Sequence, residues 1–117
     1  MKLYTFDAAP NPRRLSMFLK YKGIDLETVQ VDLMKQEQLG DSFRAINPEC
    51  SVPTLKLDSG DTLIDVVAIC QYLESQFPDK PLMGRNDLER AQVSGWMHRI
   101  FLNGLLAVAE MLRNQGE

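Results

Sequence analysis

With 117 residues, 44% hydrophobic and 25% charged, the chain has room for one compact domain of about 80 residues plus an appendage, and its composition is that of a folded globular protein. A formal charge of -3, with the basic residues scattered, leaves no electrostatic footprint for nucleic acid. No apolar run reaches the roughly 18 residues of a membrane span, and Met1-Lys2-Leu3-Tyr4-Thr5-Phe6-Asp7 turns acidic too soon for a secretory signal, so a cytoplasmic protein without membrane attachment is expected.

Residues 2–6 alternate and are rich in β-formers, which predicts a first strand. Residues 12–22 place Leu15, Phe18 and Leu19 on one helical face and stop at Gly23. Asn11 followed by Pro12 reads as the N-cap and first residue of that helix. Arg13 and Arg14 open it, where positive charge opposes the helix dipole, and a solvated face is their expected place. Alternation returns over 26–33 through Thr28, Val29 and Val31, completing a strand-helix-strand unit for which parallel pairing and a right-handed crossover are expected. Residues 35–46 predict a polar, irregular helix closed by Asn47-Pro48.

The segments 54–57 and 62–64 flank Asp58-Ser59-Gly60-Asp61, a turn signal, and so predict a hairpin. Asp65 then opens a helix with Val66, Ile69, Cys70, Leu73 and Phe77 on one stripe. Pro78, Pro81 and Gly84 interrupt it and mark a linker over 78–86. Asn86 and Glu89 form a potential capping box for a helix running to about Asn114. Its second half is apolar on nearly every side, from Trp96 and Ile100 through Phe101, Leu102, Leu105 and Leu106 to Met111 and Leu112. Such a helix needs cover all round, so the chain is expected to be truncated or to borrow its cover from a partner.

Cys50 and Cys70 lie without C-x-x-C spacing or nearby histidines, which argues against a zinc site or a structural disulfide. Cys70 sits in the apolar stripe and reads as inert core. Cys50 precedes Val52-Pro53, where it could meet a small thiol ligand. His98 has no recognisable base or metal partner and reads as structural or interfacial.

The run Asn47-Pro48-Glu49-Cys50-Ser51-Val52-Pro53-Thr54-Leu55, followed by Asp65-Val66-Val67-Ala68-Ile69, resembles the glutathione-binding half of the glutathione transferase superfamily. The resemblance covers essentially the whole chain. It implies an α/β, thioredoxin-like fold, β-α-β then β-β-α with a mixed four-stranded sheet, over residues 1–77. Residues 87–117 would be the first helix of an incomplete all-α domain. It also implies a cis Val52-Pro53 bond that turns the Val52 N–H and C=O outward, to pair with the cysteinyl unit of glutathione as a short ladder.

Asp65 and Val66 stand where relatives usually show Glu or Gln followed by Ser, the pair that receives the γ-glutamyl group. Val66 keeps the backbone N–H but lacks the hydroxyl, a hydrogen bond to charge of about 1.5–3 kcal/mol. Asp65 can serve as N-cap, as ligand, or as both. Gln38 falls near a family position that contacts the glycyl end. In the first loop, Ala9 stands at the usual Ser or Cys position, so that activating chemistry is absent. Asn11 falls where some bacterial relatives carry Cys, and is either a helix cap alone or also an amide donor to the glutathione thiolate. Tyr4 is a distant alternative that otherwise belongs to the sheet core.

Magnitudes define the task of such a site. A free thiol is only about 3% thiolate at pH 7, and lowering its pKa by two units takes about 2.7 kcal/mol. A helix start typically gives about 0.3–1 kcal/mol, and one charge-assisted hydrogen bond of about 1.5–3 kcal/mol closes the gap.

The resemblance therefore implies a dimeric enzyme with glutathione as co-substrate and no metal, which conjugates glutathione to an apolar electrophile met by Phe101, Leu102 and Leu105. Two rivals stand beside it. One is a non-catalytic interaction module similar to the transferase-like domain of stringent starvation protein A, and the other is glutathione-dependent thiol exchange through Cys50.

Overall fold

The computed structural model describes residues 1–115, with the side chains of 105 and 113–115 left aside. Two compact units follow one another, the first spanning residues 1–80 and the second beginning at Pro81. The first contains β1 (Lys2–Thr5), α1 (Pro10–Lys22), β2 (Glu27–Gln30), a short α2 (Asp41–Arg44), β3 (Thr54–Lys56), β4 (Thr62–Leu63) and α3 (Val66–Gln76). The second contains α4 (Asp87–Ile100), a π-helical segment (Phe101–Leu105) and α5 (Leu106–Gln115). No described helix is long and apolar enough to cross a membrane.

The four strands form one mixed sheet in the order β2-β1-β3-β4. β1 runs parallel to β2 and antiparallel to β3, and β3 and β4 make the expected antiparallel hairpin. Alternation along β1 sorts its side chains between two faces. Leu3 and its cross-strand neighbour Leu55 are buried, as are Leu15 of α1 and Ile69 and Leu73 of α3. Tyr4 points to the other face, where its ring meets Phe43 of α2 edge-on at 5.9 Å. Helices α1 and α3 pack together, and Lys22 at the end of α1 is buried against Glu74 of α3 as an ion pair.

Three local expectations change. Helix α1 begins earlier than the Asn11-Pro12 pair suggested: Ala9 is the N-cap, Pro10 is the first helical residue, and Asn11 lies inside the first turn. The Ala9 N–H closes a turn on the Phe6 carbonyl at 3.0 Å, and the Ala9 carbonyl accepts the first helical bond from the Arg13 N–H at 3.0 Å. Pro10 suits this start, because its fixed φ is helical and its missing N–H would have no helical partner.

The helix expected over 35–46 is instead a single 3₁₀ turn (Glu37–Leu39) and then α2, separated by an extended Gly40. Gln36 is left-handed at φ 59 and Gly40 is extended at ψ 156, so neither carries a right-handed helix onward. Glu37 Oε2 accepts from the Asp32 N–H at 2.7 Å, and Asp32 Oδ1 accepts from the Met34 N–H at 2.9 Å.

At α4 the capping box is half formed. Asn86 Oδ1 accepts from the Glu89 N–H at 2.9 Å, but the Glu89 carboxylate reaches back to the Arg85 N–H at 3.1 Å rather than to that of Asn86.

Candidate functional site

Strand directions bring four connecting segments to one edge of the sheet. Because Tyr4 pairs with Thr54 in antiparallel register, the start of β3, and with it Val52-Pro53, lies beside the end of β1 and the loop into α1. Because Leu55 pairs with Leu63, the end of β4 and the start of α3 emerge at that same edge. The parallel register of β1 and β2 brings Gln30 next to Thr5 there as well, and the Val31 N–H donates to the Thr5 carbonyl at 2.7 Å. Asn11, Val52, Pro53, Asp65 and Val66, together with the loop leading to Gln38, thus converge through topology.

The Val52–Pro53 peptide is cis, as the resemblance implied. Pro53 is buried and Val52 half-buried, and neither the N–H nor the C=O of Val52 has a hydrogen-bond partner among the described residues. The loop that presents it is held from within. Asn47 is fully buried, and its Nδ2 donates to the Ser51 carbonyl at 3.0 Å, Ser51 Oγ at 3.1 Å and Thr54 Oγ1 at 3.0 Å. Thr54 Oγ1 in turn donates to the Ser51 carbonyl at 2.8 Å. Sequence reasoning missed this network. Its only trace is an Asn before Pro48 and a Thr heading a strand, which read equally well as turn and β-former.

The two helix starts differ. At α3, Asp65 is the N-cap and its Oδ1 accepts from the Val67 N–H at 2.8 Å, while the Val66 N–H has no partner among the described residues. The Val66 side chain is buried in the core, so what the residue offers a ligand is its backbone. At α1, Pro10 and Pro12 remove two of the first three backbone donors. Asn11 supplies the remaining N–H. It is half-buried, and neither its main-chain N–H nor its side-chain amide is engaged among the described residues. Helix starts attract anions through such free N–H groups, so α1 is a sparse anion site and α3 a fuller one.

Gln38 lies in the 3₁₀ turn, and its buried Oε1 has no hydrogen-bond partner among the described residues. A groove of about 470 Å³ on the α2 face, bounded in part by Tyr4, Val31, Phe43 and Ile46, takes in none of Asn11, Val52 and Asp65. Tyr4 therefore belongs to the packing of that face. Cys50 is half-buried, with its Sγ 3.5 Å from the Pro48 carbonyl. Cys70 is buried, and burial pushes its thiol up from about 9 to about 11, which keeps it protonated and unreactive. Phe101 and Leu102 lie on the π-helical segment of the second unit, each 45% exposed, and the side chain of Leu105 lies outside the described ones. Among the described residues, no group of three His, Cys, Asp or Glu is placed to hold a metal ion.

Residues 3–81 match the family described as Glutathione S-transferase, N-terminal domain. The chain belongs to this family. It is 35% identical over 97 residues to the maleylacetoacetate isomerase of Pseudomonas aeruginosa, covering 81% of this chain and 46% of that protein. Against the glutathione S-transferase Z1 of Arabidopsis thaliana it is 36% identical over 106 residues, covering 90% and 47%. A class Gtt2 glutathione S-transferase of Vibrio parahaemolyticus superposes with a TM-score of 0.84 at 39% identity, over 97% of this chain and 55% of that one. The chain therefore spans about half the length of the transferase relatives it matches. Its first unit has the thioredoxin-like transferase fold.

Proposed function

We propose that this transferase-like chain binds glutathione along Val52, favours its thiolate at the start of α1, and adds it to an electrophilic small molecule. One observation carries the reading: a backbone edge at Val52, unpartnered among the described residues, lies at the same end of the sheet as the open start of α3. The Val52 N–H and C=O pair with the cysteinyl unit, and Asp65 with the Val66 N–H meets the γ-glutamyl group. Gln38 meets the glycyl end.

The thiol proton leaves to solvent, the Asn11 N–H and side-chain amide hold the sulfur anion, and its electron pair forms the new bond to carbon while the electrophile's π pair shifts to the neighbouring atom, which takes a proton from water. Asn11, which falls where some bacterial relatives carry Cys, offers two donors, which fits a thiolate held by hydrogen bonds rather than by a side-chain base. Phe101, Leu102 and Leu105 are the side chains this reading reserves for an apolar electrophile. The names of two relatives, an isomerase and a transferase, both accord with a glutathione-dependent enzyme.

A second reading, a non-catalytic interaction module, is favoured by Ala9 and by the two prolines that strip α1 of donors. Calorimetric titration with glutathione separates them. Saturable binding is expected, and Asn11→Ala is expected to lower the thiolate absorbance of bound glutathione near neutral pH. Absence of any binding heat would leave the interaction module standing, and an unchanged absorbance titration would remove Asn11 from the mechanism.

A further inference from the structure

We propose that Asn47 and Thr54 are positioning residues for glutathione: by gripping the Ser51 carbonyl from inside the fold, they aim the Val52 N–H outward at the ligand. The inference rests on the glutathione reading above and adds residues that touch no ligand.

The argument is one of peptide geometry. The Ser51–Val52 unit is planar and trans, since the only cis bond among the described residues is Val52–Pro53. In a trans peptide the C=O and the N–H point in opposite directions, so fixing one fixes the other. The Ser51 carbonyl receives two hydrogen bonds, from Asn47 Nδ2 at 3.0 Å and Thr54 Oγ1 at 2.8 Å, which occupy both of its acceptor positions. Both donors belong to residues with 0% exposure, so the carbonyl faces the interior. The Val52 N–H on the far side of the same plane must then face away from it.

The clamp is itself held in orientation. Asn47 Oδ1 accepts from the Glu49 N–H at 2.9 Å, which leaves Nδ2 as the group that meets three oxygens and excludes the flipped amide. The Asn47 N–H donates to the Phe43 carbonyl at 2.9 Å, tying the clamp to α2. Without it the 51–52 peptide can rotate, and glutathione must then order that peptide on binding, which weakens affinity without altering the chemistry at sulfur.

The test uses the 117-residue chain, labelled with nitrogen-15 and titrated with glutathione, following the amides of Val52, Val66 and Val67. In the wild type all three are expected to shift. Thr54→Val keeps the shape but removes the hydroxyl, and is expected to raise the glutathione dissociation constant by about three- to tenfold. At saturation its Val52 response should shrink while those of Val66 and Val67 persist, and Thr54→Ser should restore both affinity and the Val52 response. Asn47→Ala should act in the same direction and less than additively with Thr54→Val, because both act on one carbonyl. If Asn47→Ala fails to fold, the Thr54 pair decides alone. The proposal is overturned if Thr54→Val binds as tightly as the wild type, or if the three amide responses decline together, which marks general loosening. A wild type in which Val66 and Val67 respond and Val52 does not also overturns it. A wild type in which none of the three responds overturns the glutathione reading itself, and the clamp with it.

Discussion

Asn11 shows how far one side chain's role depends on where its helix begins. As an N-cap its amide would be spent on the backbone of α1, but with Ala9 capping, it sits in the first turn with its amide unengaged among the described residues. Cys70 is the opposite case, a reactive group made inert by position. Burial is the main cause of its raised thiol pKa, Arg14 offsets it in part, and Glu74 and Asp65 add to it. In the unfolded chain the thiol loses its proton near its ordinary value of about 9, whereas in the native state it holds on to about 11. Between those values the native state binds more protons, so stability falls as pH rises; below about 9 the contribution is fully present. The loss is on the order of 2–3 kcal/mol. Denaturant unfolding of the wild type and Cys70→Ala should give a stability difference that shrinks across this alkaline window. A pH-independent difference would mean that burial does not govern this thiol.

At the scale of elements, local chemistry decides boundaries. Helix α1 stops at Gly23, which is left-handed at φ 69, with the Ile24 N–H returning to the Leu19 carbonyl at 3.0 Å. A Cβ placed at Gly23 would meet nothing within 4 Å, so substitution there costs backbone conformation alone. Gly23→Ala is expected to destabilise by about 1 kcal/mol and Gly23→Asn by less, read from the denaturation midpoint at constant slope. A loss well above that for Ala would mean an unseen packing role. This stop was legible, because a glycine after the last apolar position is a local signal. The break inside 35–46 was not, because it lies in the backbone conformations of Gln36 and Gly40, which periodicity does not register. Asn47 and Thr54 were illegible for a related reason: their roles arise only when the 47–54 loop closes on itself.

For the whole molecule, the second unit carries large apolar side chains in the open. Leu88, Trp96, Ile100, Phe101, Leu102, Val108, Met111 and Leu112 are all exposed. Such a surface calls for cover from further chain or from a partner, and we propose self-association as the source. Sedimentation velocity over a range of concentrations should show species larger than a monomer. A single monomeric boundary at high concentration would argue against the dimer.

The amino-acid sequence by itself determined the order of strands and helices, the hairpin, the stop at Gly23 and the Val52-Pro53 motif, because periodicity, turn chemistry and capping act between residues a few positions apart. Only the tertiary structure decided that β3 lies against β1, bringing Val52 beside the start of α1 with Asp65 at the same edge, and that Asn47 and Thr54 turn the Ser51 carbonyl inward. Pairings between residues far apart in the chain depend on which surfaces can be buried together, and no local pattern encodes that choice.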